Sequence, residues 1–410
     1  MRRRTQQGGV LVLTILILTM VTATLALGLA RAQTDTKTYV LKADRERAKI
    51  AARNGIQYAL AILQTQETGP VNQTQEWYTT GQNGDELTTV GGSSFRLQVI
   101  DAASLINANT APEALIDSLG VTTEQRDSLL DWREDTPTPR TEGAKDDYYN
   151  TLTTPYNAKL RRLSSPDELL LIKGWDAQTL YQLPTEQSTG TTTEVPLYGL
   201  LTVDSFSSNN NAQGEAKTNL NTAQLQQLVQ AGIPANVANA IIAARTQAGG
   251  QLTSWQPVFS ANGMTTEAAT ALLDGFQIGG APRNEGKINL NTASEQVLSL
   301  LPGVTPDIAS AIVSRQSSGF ATLGEVLQVP GMSLQILAQT ADLWTITSEI
   351  FIARVEGQFG NVRVAQEAVI TLNGGRARIE KIYDSPYTDM TTLWNWNEET
   401  TTENSLGATE

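Results

Sequence analysis

The stretch INLNTASEQVLSLLPGVTPDIASAIVSR, residues 288–315, sets the architecture of most of the chain. Its Asn-Leu-Asn start makes a turn, because asparagine side chains bond to nearby backbone. Thr292 followed by Glu295 reads as a capping box that opens a helix. Gly303 ends that helix in a tight hairpin. A second apolar helix then runs to Arg315, a cation suited to a helix C-terminus.

Working outward, the same plan recurs in INANTAPEALIDSLGVTTEQRDSLLDWR (106–133) and TNLNTAQLQQLVQAGIPANVANAIIAAR (218–245). Each copy opens Asn-x-Asn-Thr-Ala, at Asn107, Asn219 and Asn289, and carries an Arg 26 positions later, at Arg133, Arg245 and Arg315. That is an internal repeat. Gly120 and Gly232 take the hairpin position of Gly303. Thr110 and Glu113 repeat the capping box, whereas the middle copy has Leu225 instead of Glu. A second half-motif follows each copy: Ser165, Ser254 and Thr322 precede Gly174, Gly263 and Gly331 by nine residues. Each unit therefore reads as two helical hairpins packed together, and the first carries an insertion at 134–162.

Helix-hairpin-helix motifs that hold DNA present Gly-x-Gly backbone N–H groups to a phosphate, with cations nearby. Here the second Gly is replaced each time, in Gly120-Val-Thr122, Gly232-Ile-Pro234 and Gly303-Val-Thr305. Pro234 has no N–H to give. Residues 281–350 hold three cations against six anions, and the whole chain has a formal net charge of −13. The six glycines thus read as structural turns in an all-α lobe, with the three arginines capping or pairing inside each unit. Nucleic acid is not expected as a partner.

The chain has 410 residues and neither Cys nor His, which excludes a Cys nucleophile, a Ser-His-Asp triad and a His/Cys zinc site. No pair of acidic residues forms a recognisable hydrolytic motif, and no enzyme is read. A carboxylate site for a hard cation remains open.

Arg2, Arg3 and Arg4 precede an apolar run at 9–30, about long enough to span a bilayer as a helix. By the positive-inside rule, everything after Arg31 is exported. A cleaved secretory signal fits less well, because LALGLARAQ is followed by more helix. Residues 36–64 read as that helix's amphipathic extension, with Tyr39, Ala43, Ile50, Ile56, Leu60 and Leu63 on one stripe. Strand patterns stand at 93–101, before the first unit, and at 349–375 and 376–384, after the last. Strands on both sides of a helical block imply an insertion into one sheet.

The N-terminus resembles that of prepilins, whose basic leader ends in Gly and is cut by a prepilin peptidase. The matching junction is Gly8 before Gly9, followed by Val10 and Leu11 in the filament-assembly helix. Most pilins carry Glu at the fifth mature position, where it meets a neighbour's amino terminus; Leu13 stands there, as in the tip subunit of a pseudopilus. With INANTAPEAL, LLDWREDTPTPRTEGAKDDYY, SSPDELLLIKGW and YGLLTVDS in this order, the chain resembles the type II secretion system protein K family up to about residue 384.

The resemblance implies an α+β fold: a pilin-like long transmembrane helix and a small antiparallel sheet, with a large inserted all-α domain of helix-hairpin-helix-like (SAM-like) units. The boundaries read are a leader at 1–8, the membrane and amphipathic helix at 9–64, and the first part of the core at 65–101. The first unit with its acidic insertion follows at 102–185, a linker with a strand at 186–216, the second unit at 217–280 and the third at 281–345. The C-terminal strands at 346–384 and an acidic tail at 385–410 complete the chain. The tail reads as loosely ordered, with Trp394 and Trp396 able to dock.

The resemblance also implies a function: a minor pseudopilin that caps the pseudopilus tip and initiates its assembly. Its partners would be other minor pseudopilins, the inner-membrane secretion platform and prepilin peptidase, with the bulk of the chain in the periplasm. The alternative is a membrane-tethered DNA receptor of the competence type. Some relatives bind calcium in the α-domain; Asp135, Glu142, Asp146 and Asp147 are the candidates here, against the reading of an exposed acidic loop. The family's Gly-Ala-Glu reads Gly143-Ala144-Lys145, which sets a cation where a ligand is expected.

Overall fold

The computed structural model describes residues 7–66, 68–81, 84, 86–182, 195–384, 390–394, 396 and 402–405. Most of the leader, part of the linker and much of the tail lie outside them.

One helix, α1 (Gln7–Gln64), carries the apolar run and its extension without a break. At 1.5 Å per residue it is about 87 Å long, and only its second half meets the rest of the chain. There it lies on a sheet of β1 (Glu86–Val90), β2 (Ser93–Asp101), β3 (Ile350–Phe359), β4 (Val362–Asn373), β5 (Arg376–Asp384) and β6 (Thr402–Ser405). The strand order is β5-β4-β3-β2-β1-β6, antiparallel throughout except for the parallel β1–β6 pair. β2 and β3 are neighbours although residues 102–349 separate them, with Phe351 opposite Asp101. The helical lobe is thus an insertion between two paired strands of a pilin-like α+β core.

The contact face of α1 differs from the stripe expected of it. Tyr39 and Ile50 are exposed, and the buried residues are Ala48, Ala51, Ala52, Ile56, Ala59, Ile62 and Leu63. The face is small because helix and sheet touch at backbone distance. A Cβ on Gly357 of β3 would lie 2.1 Å from the Ala48 carbonyl oxygen and 2.4 Å from the Ala52 nitrogen. Large apolar residues would hold the two layers apart. Behind the alanines, Leu97, Val99, Phe351, Val355 and Ile370 form the sheet's half of this core.

In the lobe, the helix pairs are Glu113–Ser118 with Thr123–Arg133, Leu225–Gln230 with Ala235–Gln247, and Glu295–Ser299 with Pro306–Gln316. Two-residue parallel bridges close each unit: Ile106–Asn107 on Leu201–Thr202, Thr218–Asn219 on Phe276–Gln277, and Ile288–Asn289 on Trp344–Thr345. The three units share one continuous apolar core.

The capping boxes expected at Thr110 and Thr292 are not formed. The first helices begin later, after Pro112 and Ser294, and Ser294 accepts the Val297 N–H at 3.2 Å. Thr292 instead donates to Asp101 at 2.7 Å. Asp101 ends β2 and also accepts from Asn289 at 2.7 Å and from the Ala103 N–H at 2.8 Å. This buried carboxylate fastens the third unit to the sheet. Burial raises its pKa, and the bonds from Ser348, Thr292 and Asn289 oppose that rise.

Two pieces of the tail pack on the sheet and its neighbours. Trp394 and Trp396 are buried; their indole N–H groups donate to Glu367 at 3.0 Å and Gln98 at 3.1 Å. β6, from the same segment, extends the sheet beyond β1.

Candidate functional site

The described residues offer three places for function: the free half of α1, the hairpin turns and the acidic insertion. Residues 9–43 of α1 are exposed, among them Val10, Leu11 and Leu13, and Gly8 and Gly9 lie in its first turns. Hydroxyls inside the apolar run turn back to the helix; Thr14 donates to Leu11 O at 2.8 Å and Thr19 to Leu16 O at 2.9 Å. With its polar groups satisfied and its apolar side chains uncovered, the segment is a candidate membrane anchor.

Gly120, Gly232, Gly303, Gly174, Gly263 and Gly331 all stand at positive φ, between 73° and 87°, a region other residues rarely adopt. The Gly120 and Gly232 N–H groups are used by their own helices, donating to Asp117 O at 3.1 Å and Val229 O at 3.0 Å. Cations near the first hairpin face carboxylates: Arg126 pairs with Asp127 at 2.8 Å and Asp117 at 3.0 Å, and Lys173 with Glu124 at 3.2 Å.

The arginines do not play one role. Arg133 donates to Ala108 O and Ala111 O, at 2.7 and 2.8 Å, and Arg245 donates to Leu220 O and Ala223 O, at 2.8 and 2.9 Å. In the third unit Gln316, not Arg315, reaches the matching Leu290 and Ala293 carbonyls, both at 2.8 Å. The reason is in the spacing: Gly120 and Gly232 follow their opening Asn by 13 residues, Gly303 by 14. One extra hairpin residue shifts the second helix by one position, so the shared distance to Arg315 is a coincidence of counting. Arg315 pairs with Glu325 at 2.6 Å and lies over the Phe320 ring.

The Asn-x-Asn pair has two separate tasks. The first Asn makes the turn, its side-chain oxygen accepting the N–H two residues on: Asn107 from Asn109 at 2.9 Å, Asn219 from Asn221 at 2.9 Å, Asn289 from Asn291 at 3.0 Å. The second Asn reaches the other half of its unit. Its amide accepts a backbone N–H and donates to the carbonyl of the same residue: Leu163 for Asn109, Leu252 for Asn221 and Phe320 for Asn291. Those residues stand two positions before Ser165, Ser254 and Thr322, so the bridge aligns the two half-motifs. Sequence reading missed it, although the fixed offset was its trace.

The insertion is organised by cations of the chain itself. Asp131 is fully buried; Arg140 bonds one oxygen through its guanidinium and the other through its backbone N–H, each at 2.9 Å. The buried Lys145 ammonium donates to Asp131 O at 2.5 Å and Glu134 O at 2.8 Å. Burial lowers its pKa, against the pull of Asp131 and Glu134. Tyr149, fully buried, braces the loop by stacking on Tyr156 at 5.3 Å and packing edge-on to Trp132 at 5.2 Å.

Of the calcium candidates, Asp135, Glu142 and Asp147 are exposed, and Asp146 accepts the Ala158 N–H at 2.7 Å. No three acidic side chains converge among the described residues. The carbonyls that a hard cation would seek are taken by Lys145, so these residues do not fit calcium.

Residues 97–185, which hold the end of β2, the first unit and this insertion, match the family model "Type II secretion system (T2SS), protein K". Over that stretch the chain is similar to protein K of type II secretion systems. Residues 283–345, the third unit, match the helix-hairpin-helix motif model. No curated protein matches the chain. A solved structure, the GspK-GspI-GspJ complex from the enterotoxigenic Escherichia coli type 2 secretion system, contains a chain with a loose likeness. It is 14% identical, covers 87% of this chain and 99% of its own, and superposes with a TM-score of 0.41. The likeness to protein K thus rests on the first unit, and the helix-hairpin-helix likeness on the third.

Proposed function

We propose that this chain is a minor pseudopilin of the protein K type, which caps the tip of the pseudopilus and initiates its assembly through contacts with other minor pseudopilins. The observation that carries the reading is the uncovered first half of α1, with Leu13 where an acidic side chain would meet a neighbour's amino terminus. An apolar helix surface of that length gains by burial, in the bilayer and against the helices of neighbouring subunits. In this reading the inserted helical lobe stops another subunit from stacking above.

In this reading prepilin peptidase cuts between Gly8 and Gly9, and the inner-membrane secretion platform receives the mature subunit. The anchor crosses the inner membrane once and the lobe lies in the periplasm. The work is done by protein contacts and not by catalysis. Removing the chain from a cell with a type II system should stop secretion and leave no pseudopili, and restoring it should recover both. The mature N-terminus should be Gly9. Unchanged secretion without the chain, or a mature start after Ala32, would sink the proposal.

A further inference from the structure

A cavity of about 40 Å³ lies where the second and third helical units meet the 208–212 segment. Its wall includes Lys217, Lys287, Trp344, Asn209, Asn284 and Asp274. Three features of this wall are unbalanced. Trp344 is fully buried, yet its indole N–H has no hydrogen-bond partner. Lys287 has neither a hydrogen bond nor an ion pair among the described residues. A second ammonium, that of Lys217, shares the wall and donates to the Leu273 carbonyl.

Asp274, in the wall, offsets the Lys217 charge in part and Asp342 that of Lys287, but neither forms an ion pair with them and each also accepts a backbone N–H. Asp274 accepts the Gly324 N–H at 2.9 Å, and Asp342, outside the wall, accepts the Trp255 N–H at 3.0 Å. Burial, and then repulsion from Lys217, push the Lys287 amine down to about 8, with Asp342 pulling the other way. Two like charges and an orphan donor around one small polar cavity cost stability unless something negative enters.

We propose that this cavity binds a small oxyanion, a carboxylate or a phosphate group, held by the Lys287 and Lys217 ammonium groups and the Trp344 indole N–H. Its oxygens supply the acceptor that the indole lacks and the negative charge that separates the two amines. The space suits a head group of a few heavy atoms, such as a free anion or the tip of an acidic side chain. Water would satisfy the indole but bring no negative charge beyond the partial offset from Asp274 and Asp342.

The test is thermal unfolding of the full chain in detergent, titrated with phosphate or with acetate against chloride at constant ionic strength. A saturable rise in Tm is expected, with apparent affinity weakened by at least about tenfold in both Lys287→Met and Trp344→Phe. A response to phosphate alone identifies a free inorganic ligand, and an acetate response identifies a carboxylate source. Lys287→Met removes the charge of a half-buried residue and keeps the test readable if Trp344→Phe does not fold. No saturable rise with either anion would mean that the cavity holds water only. An equal rise in wild type and Lys287→Met would place the anion elsewhere; either result overturns the proposal.

Discussion

Replacing Asn291 with Ala would release the two halves of the third unit from each other. Asn291 is 0% exposed, and its amide accepts the Phe320 N–H at 2.6 Å and donates to the Phe320 carbonyl at 3.1 Å. Alanine leaves both backbone groups without a partner in a place closed to water. Each such group costs about 1–3 kcal/mol, so the expected loss is about 2–6 kcal/mol. Asn221 makes the same two bonds to Leu252, at 2.7 and 3.0 Å, but is only half-buried. Water replaces part of that bonding, and Asn221→Ala should cost only about 1–2 kcal/mol. With two cores in one chain, a single global unfolding midpoint would mix the effects. Hydrogen exchange of residues 320–330, on the full chain in detergent, reads the local opening directly. A change below about 0.5 kcal/mol for Asn291→Ala would refute the bridge as the fastening. So would a larger effect from Asn221→Ala on its own unit.

Three further outcomes follow from the packing. Gly357→Ala places a Cβ 2.1 Å from the Ala48 carbonyl oxygen of α1, and a helix backbone has nowhere to go. A loss of about 3 kcal/mol is expected, seen as a lower Tm in the fluorescence of Trp77, which is buried in the same core. Lys145→Met strands the Asp131 and Glu134 carbonyls and should loosen residues 131–149 by about 2–4 kcal/mol in hydrogen exchange. Millimolar calcium should leave the wild-type Tm unchanged; a calcium-dependent rise would contradict the role given to Lys145. Lys287 binds its proton less tightly in the folded chain, at about 8 against an ordinary 10.5. Its penalty is therefore complete below pH 8 and relieved as pH rises toward 10.5, where the unfolded chain still holds more protons. Wild type should gain about 1–3 kcal/mol across that window, and urea unfolding of Lys287→Met should show a correspondingly smaller gain.

Much of the fold was legible where one physical signal dominates. The apolar run of α1, the alternating strands at 93–101 and 376–384, and the threefold Asn-x-Asn pattern each follow from local periodicity. The misses came where long-range geometry decides. The packed face of α1 escaped notice because close approach selects Ala and Gly, which weigh little in a hydrophobic stripe. Gln316 was hidden behind Arg315 because counting from Asn to Arg ignored the extra hairpin residue before Gly303. Trp394 and Trp396 sit in an acidic, Thr-rich tail whose composition says disorder, but two indoles bury enough apolar surface to outweigh it. Nothing local in the sequence joins Asn289 to Asp101, the bond that ties lobe to sheet.

Because the chain has no native cysteine, a single Ile15→Cys is a unique chemical handle on the uncovered face of α1. Crosslinking from that position in cells with a type II system tests most directly whether α1 joins other pseudopilins. The expected result is a discrete adduct with another minor pseudopilin, lost when that subunit is absent. Contradiction would be no such adduct, together with tight, salt-sensitive binding of duplex DNA by the purified chain.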